Sequence, residues 1–240
     1  MNVKTKYFIN LSDLIWKSIR YNFRIIFAGK FFYFLLAAFG FFILVTTVNL
    51  FSNSNMQEDD IFYLLLFPGI LLTFYPTVFG IQNDDDNRML EIIFGIPNYR
   101  YKVWLVRFLL IYIMVFLILM MIGLLTSFAM TSFPVAEMVY HLLFPLFFLG
   151  SLAFMFSTLV RNGNGTAVVM IIIGFFLFIL GAEIGQVEWN VYFNPFDMPS
   201  EMNETIWEER VFYNRLYLVC GGTVALLYGL INLQNRERFI

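Results

Sequence analysis

Residues 61–127 decide the architecture: IFYLLLFPGILLTFYPTVFGIQNDDDNRMLEIIFGIPNYRYKVWLVRFLLIYIMVFLILMMIGLLTS. Two apolar runs, 61–81 and 103–127, are each long enough to cross a bilayer as a helix, which takes about 20 residues. Between them lies a polar island. It opens on Asp84, Asp85, Asp86, Asn87 and Arg88, continues through an apolar run from Met89 to Ile96, and closes on Pro97, Asn98, Tyr99, Arg100, Tyr101 and Lys102. Two membrane crossings joined by a structured, charged connection are the expectation.

Working outward, the runs 31–51, 136–160, 166–183 and 212–233 have the same character. The predicted fold class is an all-α membrane protein, a single transmembrane domain over 1–240 with six transmembrane helices. Composition agrees: 60% of residues are hydrophobic and 13% charged, against about a quarter charged in ordinary soluble domains, and mean hydropathy is +0.75. A barrel would alternate apolar and polar residues, and these runs are apolar all round. The net charge of −2 says nothing about nucleic acid, and no basic cluster has the look of a base reader, so no nucleic-acid partner is expected. The single cysteine, Cys220, falls in a predicted span, so no disulfide framework is expected. The chain begins with a polar, basic stretch, so no cleavable signal is expected.

The distribution of cations orients the spans. Lys4, Lys6, Lys17, Arg20, Arg24 and Lys30 precede the first, and Arg88, Arg100, Lys102 and Arg107 lie between the second and third. Arg161 follows the fourth, and Arg236 and Arg238 follow the sixth. With alternating spans these share one side. The other has Arg210 and Arg215 among acids that include Glu58, Asp59, Asp60, Glu188, Asp197, Glu201, Glu204, Glu208 and Glu209. The positive-inside rule then places both termini in the cytoplasm, and an even number of spans agrees in putting them on one side.

Two further segments are not spans. In 10–28, Leu11, Leu14, Ile15, Ile19, Phe23 and Ile26 recur at helical spacing, opposite Asp13, Lys17, Arg20 and Arg24. This predicts an amphipathic helix on the cytoplasmic face of the membrane. Segment 185–211 mixes Trp189, Tyr192, Phe193, Asn194, Pro195, Phe196, Pro199 and Trp207 with acids, which predicts short helices resting at the outer interface before the sixth span.

Within the island, Asp84, Asp85 and Asp86 suit the N-terminus of a helix, where carboxylates cap free N–H groups and meet the positive end of the dipole. Arg88, Leu90, Glu91 and Ile93 continue it, Gly95 can end it, and Pro97 forbids its continuation. A helix over 84–96 is short enough to need something to pack on. An acid, short apolar turns, Pro97 and then Arg100 ahead of a span resemble the loop between spans two and three of ATP-binding-cassette (ABC) type-2 permeases. Asn87 and Arg88 stand where that family often has Gly-Thr. The wider layout is also similar: an amphipathic N-terminal helix, six spans, and Asn-Pro in the outer segment.

The resemblance implies that 84–96 is a coupling helix seated on a separate ABC ATPase subunit, with Asp84, Asp85, Asp86, Arg88, Leu90, Glu91, Ile93, Pro97 and Arg100 as docking residues. It implies a second permease chain, identical to this one, contacts near spans one and five, an exporter moving substrate by alternating access, and a bacterial inner-membrane location. ATP and Mg would belong to the partner. This chain is not expected to be an enzyme or to hold a cofactor: Gly163, Asn164, Gly165 and Thr166 lack the lysine and the spacing of a phosphate loop.

Other residues carry weaker expectations. Glu137 and His141, four apart, share a helix face and are candidate pathway or relay residues, with Glu183 at the end of the fifth span. Plain interfacial solvation is the competing account of all three. His141 is the only histidine, so a histidine metal site is not expected. Gly181 with Gly185, and Gly221 with Ala225 and Gly229, have the small-residue spacing that lets helices approach closely. Pro68, Pro76 and Pro145 can kink their spans. If some of the 31 phenylalanines line a path, it would suit a lipid-like substrate. The rival readings are an ion-coupled secondary transporter, which would need charges at mid-membrane, and a non-transporting membrane scaffold.

Overall fold

The computed structural model describes residues 31–52, 56–86, 88–90, 93, 95 and 100–233, with backbone only at 50, 52 and 100–102. The amphipathic segment expected at 10–28 lies outside the described residues.

Six helices run α1 Phe31–Ser52, α2 Glu58–Asp86, α3 Val106–Ala129, α4 Val135–Val160, α5 Gly163–Ile184 and α6 Glu204–Asn232. All are long and apolar enough to cross a membrane, so the chain is a multi-pass membrane protein. A π-helical turn, Arg100–Leu105, leads into α3. Among the described residues there is no strand. Helix is the expected outcome because a chain in hydrocarbon must satisfy its N–H and C=O groups internally.

The ends are set by local chemistry. Asn162 caps α5, its side-chain oxygen accepting from Gly165 N–H at 2.9 Å, and Asn203 caps α6 through Thr205 N–H at 3.0 Å. α4 stops where Arg161 turns left-handed (φ 57°), and α5 stops at Gly185 (φ 64°). The run Gly163 to Thr166, glycine-rich but without a lysine, is thus a helix start, with Gly163 N–H donating to Gln82 Oε1 of α2.

α2 is the central pillar and packs against α1, α3, α4 and α5. Its contacts to α1 are largely aromatic: Phe41 on Phe67 with ring centres 4.3 Å apart and Phe34 on Tyr75 at 5.0 Å. Ser157 of α4 donates to Val78 O of α2 at 3.0 Å, and Tyr112 of α3 donates to Leu146 O of α4 at 2.9 Å. α6 lies along α4. A Cβ at Gly222 would come within 2.6 Å of Phe147, and one at Gly229 within 2.9 Å of Phe154. Gly221 meets Phe148 in the same way, Ala225 is buried, and Asn232 donates to Thr158 O at 2.8 Å. Small residues on α6 therefore let it approach the bulky face of α4.

Two expectations need correction. The second helix does not stop near residue 81 but continues to Asp86. The segment before α6 has turns over 185–203 and no separate helices. Asn190 and Asn194 hold it with side-chain-to-backbone bonds that compete with a helix: Asn190 Oδ1 accepts from Tyr192 N–H at 2.9 Å, and Asn194 Oδ1 from Phe196 N–H at 3.0 Å. From Glu204 onward the segment is the first turns of α6.

Candidate functional site

The loop between α2 and α3 is closed at its base by a buried ion pair. Arg107 Nη1 lies 2.6 Å from Asp84 Oδ2, with the two side chains 5% and 2% exposed. The guanidinium also lies over the Trp104 ring, 4.8 Å from its centroid. Arg107 Nε and Trp104 Nε1 are buried without a partner. Both residues line a small void with Pro76, Thr77, Gly80 and Phe154. An ordered water accepting from both donors would satisfy them.

α2 ends just beyond Asp84 in a Schellman turn. Arg88 N–H donates to Asp85 O and Met89 N–H to Asp84 O, both at 2.8 Å, and Arg88 takes the left-handed position, φ 55°, usually given to glycine. Leu90 and Ile93 are helical, with Ile93 N–H donating to Met89 O at 2.9 Å. Their side chains are buried in a cluster with Ile81, Trp104, Phe108, Phe154, Leu226, Leu230 and Leu233. The loop is thus fastened across α2, α3, α4 and α6.

This revises the expected roles. Asp84, Asp85 and Asp86 occupy the last turn of α2 and not the first turn of a new helix, because Asp84 is held inside by Arg107. Leu90 and Ile93 point into the chain's own core, so their apolar face is already occupied. Asp85, Asp86, Arg88 and Gly95 are exposed. Glu91 and Pro97, and the side chain of Arg100, lie outside what the structure describes. The signal for the Asp84–Arg107 pairing was present as an acid after one span and a base inside the next, but sequence alone could not tell an inward Asp84 from an outward one.

The opposite end of the bundle is capped by the 185–203 segment. Asn190 Nδ2 donates to Gly181 O and Gly185 O, Asn194 Nδ2 to Asp59 O, Trp207 Nε1 to Pro195 O and Arg210 to Gln186 O. The Tyr192 phenol donates to Gly174 O, and burial pushes its pKa up. Gly181 makes room for Asn190, since a Cβ there would come within 2.6 Å of that side chain, while nothing lies within 4 Å of one at Gly185. Within this chain, then, Gly181 and Gly185 shape a turn and do not seat a neighbouring helix.

Glu137 and His141 are not joined as a pair. Glu137 and Glu183 are exposed, and His141 Nδ1 instead accepts from Arg215 Nε at 3.3 Å. Arg215, 6% exposed, carries no sequence motif and was expected only as a charge on the outer side.

Between α1, α2, α4 and α5 an apolar groove of about 760 Å³ opens sideways. Phe34, Phe67, Phe74 and Phe175 wall it, and Gly150 and Ala153 are among its small residues. α5 turns Ile171, Ile172, Phe175, Phe176 and Phe178 outward. Among the described residues no three His, Cys, Asp or Glu side chains gather where they could hold a metal. Comparison with protein-family models, with curated proteins and with solved structures finds no match to this chain.

Proposed function

We propose that this chain is the membrane-spanning permease subunit of an ATP-driven ABC exporter, working with a separate ATPase subunit and a second permease chain. The observation that carries the reading is the α2–α3 connection. A free loop could not transmit a push, whereas this one is bound at its base by Asp84–Arg107 and again at Leu90 and Ile93, while Asp85, Asp86 and Arg88 remain exposed. A partner gripping that exposed rim moves four helices together. Closure of an ATPase pair would then reorient the spans as rigid bodies, a switch between packed arrangements.

The sideways groove supports a path or contact of apolar character. It is bordered by α1 and α5, the two helices with the most apolar surface left uncovered, and a second copy seated there would close it. Of the buried charges, Asp84 and Arg107 lie at the ends of their helices, which gives less support to an ion-coupled carrier with that pair at mid-membrane.

The test is co-purification of the full chain with an ATPase subunit encoded nearby, with and without cross-linking at Arg88. Capture of the ATPase by wild type, and its loss in a triple Asp85→Ala, Asp86→Ala, Arg88→Ala variant that still folds, is the expected result. If no ATPase is ever captured, the exporter reading fails and a scaffold role takes its place.

A further inference from the structure

Arg215 is a buried cation without a counter-charge. Among the described residues no carboxylate meets Arg215, in contrast to the paired Arg107. Its contacts are neutral: Nε donates to His141 Nδ1 at 3.3 Å, and Nη1 donates to Asn214 Oδ1 at 2.9 Å. The Phe144 and Phe193 rings lie 5.5 and 6.0 Å from Cζ. Nη2 is buried with no hydrogen-bond partner. A buried charge is ordinarily paired, and leaving one unpaired is costly. Aromatic faces recover only part of that.

The neutral partners are themselves held in place. Asn214 Nδ2 donates to Glu188 O and to Asn190 O, both at 2.8 Å, which aims its oxygen at Arg215. His141 packs edge-on against Phe196 with ring centres 5.8 Å apart. Two nitrogens of the guanidinium are thus engaged, and the third, Nη2, is enclosed without a hydrogen-bond partner. That is the arrangement of a receptor for a planar or tetrahedral oxyanion, which guanidinium forks recognise. Of the two rings beside it, Phe144 belongs to α4 and Phe193 to the capping segment. Arg215 lies in the N-terminal half of α6, on the side of the bundle covered by the 185–203 segment.

We infer that Arg215, oriented by Asn214 and His141, binds a phosphate-like oxyanion at the capped end of the bundle, supplied either by a lipid phosphodiester or by a free anion. This inference does not depend on the exporter reading.

The experiment is thermal unfolding of the purified full chain in an uncharged detergent. Inorganic phosphate and sulfate are titrated against chloride at matched ionic strength. In parallel, phosphatidylcholine is titrated against a phosphate-free diacylglycerol glycoside. Stabilisation by inorganic phosphate or sulfate beyond chloride identifies a free-anion site. Stabilisation by phosphatidylcholine and not by the glycolipid identifies a headgroup site. Arg215→Lys keeps the charge and loses the fork, and should weaken the response by roughly tenfold or more. Phe144→Glu places a carboxylate beside the guanidinium, and should raise the unfolding temperature without added anion while abolishing the response. No anion or phospholipid effect on wild type overturns the proposal. So does a full wild-type response in either variant, and the second variant decides the matter if the first does not fold.

Discussion

Arg107 and Asp84 form a 2.6 Å ion pair sealed from solvent on both sides. The two residues stand 23 positions apart in sequence, at the two ends of the connection between α2 and α3, so one contact turns that connection into a closed loop. Removing one partner leaves the other buried and uncompensated. Asp84→Asn or Arg107→Gln should each destabilise the protein by about 3–5 kcal/mol, and the double change to Asp84→Leu with Arg107→Met by much less than the sum. Thermal unfolding of the singles and the double decides this; additive losses would show that the pair does not act as a unit.

The two faces of the loop should respond in opposite ways. Leu90 and Ile93 are buried against Trp104, Phe154 and Leu230, so each substitution by Ala should cost about 2–5 kcal/mol of stability. Asp85→Ala, Asp86→Ala and Arg88→Ala alter exposed positions and should shift stability by no more than about 0.5 kcal/mol. Measured side by side, the first set lowers the unfolding temperature and the second lowers capture of an ATPase partner while leaving that temperature in place.

Arg88 is a strained position. Its φ of 55° costs a side chain about 1–2 kcal/mol relative to right-handed backbone, and glycine avoids that at an entropic cost of about 0.5–1 kcal/mol. Arg88→Gly is therefore expected to be neutral or stabilising by up to about 1 kcal/mol, and Arg88→Ile, branched at Cβ, to be destabilising by more than that. Unfolding temperatures ranked Gly at or above Arg, and Arg above Ile, confirm the turn.

The α4–α6 seam should tolerate no added bulk on α6. A side chain at Gly222 meets Phe147, and one at Gly229 meets Phe154 and the Met155 backbone. Gly222→Leu and Gly229→Leu should each cost about 1–3 kcal/mol or more. Gly40→Ala and Gly80→Ala, with nothing within 4 Å of the added carbon, should gain about 0.5–1 kcal/mol from the helical preference of alanine. The four variants are compared by unfolding in one detergent.

Sidedness is open to a direct check. With six crossings, a reporter fused after residue 233 and one placed in the capping segment near Glu201 should fall on opposite sides of the membrane, the first cytoplasmic. Reporters on the same side refute the number of crossings.

The sequence by itself determined the class of molecule and the count of its long helices. Uninterrupted apolar runs have one stable form in hydrocarbon, and Pro, Gly and Asn between the runs mark where they break. Gly222, Arg215 and the inward turn of Leu90 and Ile93 were not legible in it, because each depends on which residue lies opposite in space. Apolar residues that cover a helix all round give no periodic stripe to say which face is buried, so the packing of α6 on α4 and the central place of α2 came only from the tertiary structure. The same holds for charge. An aspartate at the end of one span and an arginine at the start of the next are compatible with two exposed caps or one buried pair, and only the close approach of α2 to α3 brings Asp84 and Arg107 together. His141 shows the limit most clearly. Helical spacing paired it with Glu137, yet its partner is Arg215, 74 residues away, because α6 crosses α4 at the level of that imidazole.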